Sequence, residues 1–201
     1  MEPLTIKLSK TVLDSIDLGP LFKFVEWNEQ NIQYFNLPSG VEHYRLLAYL
    51  STVIPGDKII DIGTYFGFSA AALSYNSNKK VISYDIFDWI PEDKLTVKNA
   101  LNIELKVMNC LNDINELAQT SLILLDIDHN GKNELDILNA LRAANYKGLV
   151  MLDDIGLNDE MKALWQGIPE KKIDVSIVGH FSLSGIVIFD PTKFDIVLEN
   201  I

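Results

Sequence analysis

The sequence is poor in the residues that mark secreted and membrane-spanning proteins. It contains one cysteine, Cys110, which cannot form an internal disulfide, and this favours a reducing compartment. No apolar run reaches the roughly 18 residues of a membrane span, and residues 1–10 have no basic region followed by an apolar core. We therefore expect a cytoplasmic protein that has no membrane partner.

Basic residues are also scarce. The chain has 17 Lys and Arg against 28 Asp and Glu, which gives a formal net charge of -11. A nucleic-acid backbone is bound by clustered Lys and Arg, so we expect no nucleic-acid partner. With 201 residues, 48% of them hydrophobic, the chain has the size and composition of one globular domain with a full core.

One stretch organises the rest of the sequence. Lys58–Ile62 is a short apolar run rich in β-branched residues, which predicts a buried strand. Gly63 and Gly67 interrupt this run, and small residues with helical character follow them. A strand, a glycine turn and a helix form the first half of a nucleotide-binding βαβ unit. In that unit a ligand can lie against the main chain, and the start of the helix faces an anion.

The spacing of this turn departs from the dinucleotide fingerprint G-x-G-x-x-G. Here Asp61 stands two residues before Gly63, and a carboxylate there suits a ligand with an ammonium group. The stretch resembles motif I of the class I S-adenosylmethionine (SAM)-dependent methyltransferases, in the D/E-x-G-T-x-x-G-x-S form of many small-molecule O-methyltransferases. The resemblance implies a SAM site formed by Asp61, Gly63, Thr64, Gly67 and Ser69. A tight packing turn would explain the glycines alone.

The segment before the motif has less regular patterns. Residues 1–38 predict short helices broken at Gly19-Pro20, which could form a lid over the site or an arm of a homodimer. The methyltransferase domain would then span 39–201. Ser39 and Glu42 fit a capping box for a helix that runs to about Val53. His43 and Arg45 at its start belong either to a solvated helix end or to a surface facing the cofactor carboxylate.

Short apolar runs without alternation recur after the motif, and such runs are typical of strands covered on both faces. They lie at 80–85, 105–108, 122–126 and 149–154, with helical patterns at 91–100, 111–117, 132–144 and 159–165. Alternating strands and helices predict a parallel, doubly wound sheet. Two last strands, at 175–178 and 185–189, are expected to be joined by a short turn.

This pattern predicts the fold class. It is α/β, with a Rossmann-like seven-stranded methyltransferase sheet that is mostly parallel and has an antiparallel C-terminal strand, with helices on both faces. A terminal hairpin is a feature of the methyltransferase sheet, and the NAD-binding sheet has none.

Aspartates end several of the predicted strands. They are Asp61, Asp85, Asp126 and the pair Asp153-Asp154. Because the carboxyl ends of parallel strands share one edge, these side chains should gather there. One such aspartate could be a helix N-cap. Four or five carboxylates at one edge would repel each other unless cations or hydrogen bonds offset their charge, so the pattern predicts a functional site.

Two parts of this edge would contact the nucleoside. Asp85 can accept hydrogen bonds from ribose hydroxyls, a role that the resemblance also gives it. The candidates for adenine contacts are Asn109, Asn112 and Asp113, and the sequence does not choose between them.

The run Asp126-Ile127-Asp128-His129, together with Asp153-Asp154, resembles macrocin-type sugar O-methyltransferases more than the catechol type. In the catechol type a Lys follows the first metal-binding Asp, and the later pair reads Asp-Asn. The resemblance covers about residues 40–190. It implies that Asp126, Asp153 and Asp154 hold a divalent cation and that His129 is the general base.

The ion and the base have simpler alternatives. Three carboxylates, with no Cys or His cluster expected for zinc, favour Mg²⁺. Many class I methyltransferases use no metal, however. His129 could also be a helix-start or surface histidine, and His180 is expected to be structural.

The expected function is methyl transfer from SAM to a hydroxyl of a small polar acceptor, either a sugar or a catechol-like diol. An NAD-dependent oxidoreductase is a second interpretation, which the missing G-x-G-x-x-G disfavours. A non-catalytic module that retains the nucleotide-binding fold is a third. The sequence leaves open the acceptor and the oligomeric state.

Overall fold

The chain alternates short strands with helices, as the sequence predicts. The computed structural model describes residues 2–199. The strands are β1 (Leu4–Leu8), β2 (Lys58–Ile62), β3 (Lys80–Asp85), β4 (Ile103–Val107), β5 (Leu122–Leu125), β6 (Leu149–Leu152), β7 (Lys171–Asp174), β8 (Gly185–Ile188) and β9 (Phe194–Leu198). The α-helices are α1 (Lys10–Asp14), α2 (Ile32–Phe35), α3 (Tyr44–Val53), α4 (Phe68–Leu73), α5 (Ile114–Ala118), α6 (Lys132–Ala143) and α7 (Asp159–Gly167). The 3₁₀ helices cover Gly19–Phe24, Val97–Asn99 and Cys110–Asp113.

Seven strands form the central sheet, in the order β4-β3-β2-β5-β6-β8-β7. The pairs β3–β4, β2–β3, β2–β5 and β5–β6 are parallel, whereas β8 is antiparallel to both of its neighbours. This arrangement confirms the predicted mostly parallel sheet with an antiparallel C-terminal strand. The chain changes direction of winding between β2 and β5, which places a crevice at their carboxyl ends.

Both faces of the sheet are covered, which explains the apolar runs without alternation. Ile59 belongs to a core cluster shared with α1, α3 and α4, and its neighbour Ile60 to a second cluster shared with α5, α6 and α7. All four residues of β5 and all four of β6 are buried. Among residues 2–199, no helix is both long enough and apolar enough to cross a membrane.

The N-terminal segment contains a strand that the sequence analysis does not predict. β1 pairs in parallel with β9, so that Leu4 lies opposite Phe194, and the two strands form a separate sheet. Ile6 and Leu8 are buried in the same core cluster as α3 and α4. The predicted short helices are present as α1 and the 3₁₀ helix Gly19–Phe24, but the break between them lies at residues 15–18, and Gly19-Pro20 begins the second helix. The division into a 1–38 segment and a 39–201 domain stays a prediction.

The predicted capping box at Ser39 and Glu42 is wrong. Helix α3 begins at Tyr44, with His43 as its N-cap. Gly40 adopts a left-handed conformation (φ +85°) and its N–H donates to the carbonyl of Gly179, so residues 39–43 form a turn.

Two further boundaries differ from the sequence analysis. The segment 91–100 contains the 3₁₀ helix Val97–Asn99, capped by Thr96, in place of the predicted α-helix. The predicted strand at 175–178 is a turn, in which Gly179 N–H donates to the carbonyl of Val175, and the strand lies just before it at Lys171–Asp174. Local apolar content did not distinguish an α-helix from a 3₁₀ helix at the first place, or a strand from a turn at the second.

Candidate active site

A cavity of about 550 Å³ lies at the carboxyl ends of β2, β3 and β5 and beside the loop after β4. This volume is in the range of small-molecule sites. Of the residues predicted from the sequence, those that line it are Gly63, Asp85, Asn109, Asp126 and His129. The cavity therefore lies at the edge predicted from the strand-terminal aspartates.

The glycine turn packs closely against the end of β5. Gly63 has φ +107°, and a Cβ built there would lie 1.6 Å from the carbonyl oxygen of Asp126. Gly67 has φ +82°, and its Cβ would lie 2.6 Å from Val97 Cγ2. The packing alone thus requires glycine at both positions, and Gly63 also borders the cavity.

The other polar residues of the motif lie beneath the turn. Asp61 is fully buried, and its Oδ2 accepts a hydrogen bond of 2.5 Å from Ser83 Oγ, which is 2.6 Å from Thr64 Oγ1. Burial raises the pKa of Asp61 to about 7, although hydrogen bonds from Ser83 and Ser69 act in the opposite direction. Asp61, Thr64, Gly67 and Ser69 are not among the lining residues, so any effect they have on a ligand passes through the turn.

Asp85 borders the cavity beside a group of aromatic rings. Its Oδ2 accepts from Tyr65 N–H at 2.9 Å and its Oδ1 from Phe87 N–H at 3.0 Å, and each oxygen retains further acceptor capacity. The rings of Tyr65 and Phe87 each lie 5.6 Å from the ring of Trp89, and all three rings line the cavity. The sequence pattern did not identify these aromatics as site residues, although Tyr65 lies within the motif and Phe87 and Trp89 closely follow Asp85.

The three candidates for adenine contacts lie in the loop after β4, and they differ in whether they line the cavity. Asn109 lines the cavity, and its Oδ1 accepts from Leu111 N–H. Asp113 instead binds Lys106 Nζ at 2.6 Å, and neither Asp113 nor Asn112 lines the cavity.

Histidines and carboxylates meet beside this cavity. This histidine–carboxylate cluster consists of Glu42, His43, Asp126, His129, Asp153, Asp154 and His180. The expectation that no His cluster is available is wrong for the part of the chain that the structure describes, because four distant segments converge there and three of them carry a histidine.

The histidines of the cluster share carboxylates, since Asp154 faces both His129 and His180. His129 Nε2 lies 3.1 Å from Asp126 Oδ1 and 3.4 Å from Asp154 Oδ2. His43 Nδ1 lies 3.3 Å from Asp153 Oδ1. His180 Nδ1 lies 3.2 Å from Asp154 Oδ1, and its Nε2 lies 3.3 Å from Glu42 Oε1.

His43 and Arg45 both lie at the start of α3, but in different surroundings. His43 is 3% exposed and contacts Asp153, so it neither belongs to a solvated end nor lines the large cavity. The guanidinium of Arg45 donates to the carbonyl of Asp14 and to Asn36 Oδ1, which ties α3 to the N-terminal segment.

The charges of the cluster shift its pKa values. Burial lowers the pKa of His43, but the Asp153 carboxylate outweighs it and raises the pKa to about 9. The pKa of His129 is also raised, against burial, by Asp126 and Asp154. Burial raises the pKa of Asp126, whereas in Asp153 the nearby His43 and His180 overcome burial and hold the pKa well below its usual range. Imidazolium groups therefore offset much of the carboxylate charge.

Two cluster residues have left-handed backbones, which are rare outside glycine and are often found at functional sites. His129 has φ +53° and Asp154 has φ +55°. The N–H of His129 donates to the buried Glu134 at 2.7 Å, and its carbonyl accepts from Asn158 Nδ2 at 2.8 Å. Glu134 and Asn158 thus hold His129 in this conformation.

Three groups of cluster residues have donor atoms close enough for one cation. They are Glu42–His43–His180, His43–Asp126–Asp153 and Asp153–Asp154–His180, and within each group the donor atoms lie within 4.8 Å of one another. Each group contains at least one histidine. The predicted ligand set Asp126, Asp153 and Asp154 stays a prediction.

A second cleft, of about 300 Å³, adjoins both the cavity and the cluster. It shares Tyr65 with the cavity, and Glu42 and His180 with the cluster. Its other lining residues are mainly aromatic: Asn31, Tyr34, Tyr44, Phe66, Phe68 and Phe181. The cluster thus has a cavity on one side and an aromatic cleft on the other.

The sequence matches no protein-family model and no curated protein, but the fold matches solved methyltransferases. A Staphylococcus aureus protein provisionally assigned as a caffeoyl-CoA O-methyltransferase has a TM-score of 0.59 at 15% identity, over 87% of this chain and 92% of its own. A Podospora anserina methyltransferase with bound SAH (S-adenosylhomocysteine) has a TM-score of 0.56 at 12% identity, over 85% and 86%.

A third similar structure contains SAM. The O-methyltransferase TomG from Streptomyces achromogenes, in complex with SAM, has a TM-score of 0.50 at 14% identity, over 72% of this chain and 78% of its own. At these identities the likeness establishes the fold, and it confirms that this chain has the fold of class I SAM-dependent O-methyltransferases.

Proposed function

We propose that this protein transfers a methyl group from SAM to a hydroxyl of a small acceptor. The observation that carries the proposal is the cavity at the carboxyl edge, which brings Asp85 together with His129 and Asp126. Structures of the same fold that contain SAM or SAH support this assignment.

The lining of the cavity fits the parts of SAM. Asp85 would accept hydrogen bonds from the ribose hydroxyls, and Gly63 would let the cofactor lie against the end of β2. Asn109 would contact adenine, beside the apolar side chains of Met108 and Leu111. The conformation of this turn would be maintained by four residues that do not line the cavity: Asp61, Thr64, Gly67 and Ser69.

Methyl transfer is an in-line displacement, so the protein mainly positions the reactants. The acceptor oxygen forms a bond to the methyl carbon, the carbon–sulfur bond breaks, and sulfur keeps the electron pair. His129 would take the acceptor proton, and Asp126 and Asp154 make its imidazole more basic.

A divalent cation held by Asp126, Asp153 and Asp154, for which the sequence predicts Mg²⁺, would lower the pKa of the acceptor hydroxyl. Two observations support a cation here. Four carboxylates belong to the cluster, and several of its buried ring nitrogens and oxygens have no hydrogen-bond partner. The cation's positive charge would also favour the neutral form of His129, which is the form that accepts a proton.

The aromatic cleft supports a planar acceptor. Flat rings pack favourably against the faces and edges of Tyr and Phe side chains, whereas a sugar needs many hydrogen-bond partners. The polar side chains of the cleft include Glu42 and His180, which also belong to the histidine–carboxylate cluster. Of the two expected acceptor classes, a catechol-like diol therefore fits this cleft better than a sugar.

The test measures methyl transfer from labelled SAM to catechol-like diols and to sugars. The protein is first treated with EDTA and then supplied with Mg²⁺, Mn²⁺ or Co²⁺. We expect methylated diol only when a divalent cation is present. Full activity in EDTA would contradict the cation, and transfer to sugars alone would contradict the aromatic acceptor.

The role of His129 can be tested separately. Because loss of a general base typically costs about 10²–10⁴-fold in rate, His129→Gln should lower kcat by that factor. Its affinity for SAH should change little, since the ribose partner Asp85 remains. Turnover close to that of the wild type would show that His129 has a structural role.

A further inference from the structure

His43 has an unusual environment among the histidines of the cluster. Its side chain is 4% exposed, and neither ring nitrogen has a hydrogen-bond partner. Buried polar atoms normally have such a partner, so two unpartnered nitrogens in one ring require an explanation. Among the residues that the structure describes, Asp153 is the one whose carboxylate oxygen lies within 4.0 Å of a ring nitrogen of His43. His180, in contrast, faces Glu42, Asp153 and Asp154.

The position of His43 fits a metal ligand. Two ligands of one dication, each with a bond of about 2.0–2.2 Å, lie about 2.8–3.6 Å apart. The distance of 3.3 Å between His43 Nδ1 and Asp153 Oδ1 falls in this range. Asp126 completes a group of three with them, in which one donor atom from each residue lies within 4.8 Å of the others. Ser184 Oγ donates to Asp153 Oδ1 at 3.1 Å and so orients this carboxylate, as second partners of metal ligands do.

We infer that His43, Asp126 and Asp153 bind one divalent cation, with His43 in place of Asp154 in the predicted ligand set. Imidazole suits transition metals, whereas Mg²⁺ prefers oxygen ligands, so this ion belongs to the class of Mn²⁺, Co²⁺ and Zn²⁺. Asp154 then pairs with His180, whose Nδ1 is 3.2 Å from Asp154 Oδ1. The inference rests on the proposed function and revises the ligands and the class of its cation, but ion binding itself does not require methyl transfer.

The chain contains three histidines, and all belong to the cluster, so three single variants can assign a nitrogen ligand. Untagged protein is loaded with Mn²⁺, and pulsed EPR detects magnetic coupling between the ion and an imidazole nitrogen. We expect this coupling in the wild type, in His129→Gln and in His180→Gln, but not in His43→Gln. Calorimetry should show Mn²⁺ affinity at least about tenfold lower in His43→Gln, with a smaller change for Mg²⁺.

Several outcomes would overturn the assignment. They are a wild type that binds no Mn²⁺ at millimolar concentration, Mn²⁺ bound without nitrogen coupling, and coupling that disappears in His180→Gln or His129→Gln. If His43→Gln does not fold, coupling that persists in both other variants still assigns His43 by elimination. Nitrogen coupling without methyl transfer would refute the proposed function and leave the ligand assignment intact.

Discussion

Asp61 is a single residue whose ionisation should affect the stability of the whole fold. Burial raises its folded-state pKa to about 7, from 3.8 in the unfolded chain. Between these values the folded state binds the proton more tightly, so the free energy of unfolding falls as pH rises from about 4 to 7. Above about pH 7, the buried charge destabilises the protein fully.

Asp61→Asn should remove this dependence, because the amide does not ionise and can still accept from Ser83. The free energy of unfolding of the variant, relative to that of the wild type, should therefore increase as pH rises from about 4 to 7. The gain should be on the order of 1–4 kcal/mol, at about 1.4 kcal/mol per pKa unit. Urea unfolding of both proteins at pH 5 and pH 8 measures this gain. The contributions of the other titrating groups cancel in the difference between the two proteins, because both contain those groups. A difference in stability that is the same at both pH values would contradict the buried carboxyl.

The glycine turn provides a second test at the scale of one residue. Gly63→Ala introduces a Cβ 1.6 Å from the Asp126 carbonyl at φ +107°, so we expect a loss of at least about 2 kcal/mol in the free energy of unfolding. Gly167→Ala is the matched control, since its Cβ meets no atom within 4 Å and α7 ends there. The control should be neutral or slightly stabilising. Equal effects in urea unfolding would show that the turn relaxes easily.

At the scale of elements, the sequence predicts the central strands best. β2, β3, β5 and β6 match their predicted runs closely, because strands covered on both faces consist mainly of apolar residues. β1 was missed although Leu4–Leu8 alternates apolar and polar residues, a local pattern typical of a half-buried strand. Local sequence does not show that its partner is β9, at the other end of the chain.

The β1–β9 pair offers a test of whether the N-terminal segment belongs to the core. Ile6 is 2% exposed within the main cluster, so Ile6→Ala should lower the free energy of unfolding by about 2–4 kcal/mol. Leu4 on the same strand is 43% exposed, and Leu4→Ala should cost less than about 1 kcal/mol. Urea unfolding compares the two. A cost for Ile6→Ala as small as that for Leu4→Ala would indicate a loosely attached arm.

At the scale of the molecule, the topology brings the site together. The strand-terminal aspartates could be placed at one edge from the sequence, because parallel strands share their carboxyl ends. Glu42 and His43 come from the turn before α3, and His180 comes from the β7–β8 connection. Their meeting at Asp153 depends on how turns fold over this edge, and local sequence does not specify that path. The sequence therefore predicts the edge and several of its residues, but it gives His180 a structural role and does not place His43 beside Asp153.

The central claim is that the cavity at this edge binds SAM, with Asp85 on the ribose. Calorimetric titration of the wild type, Asp85→Ala and Asp93→Ala with SAH tests it most directly. Asp93 is an exposed aspartate that does not line the cavity, so it serves as the control. We predict that the wild type and Asp93→Ala bind equally, and that Asp85→Ala binds about 1–3 kcal/mol more weakly, because the ribose hydroxyls lose a charged hydrogen-bond acceptor. No binding by the wild type at millimolar SAH, or equal affinity in all three proteins, would contradict the account.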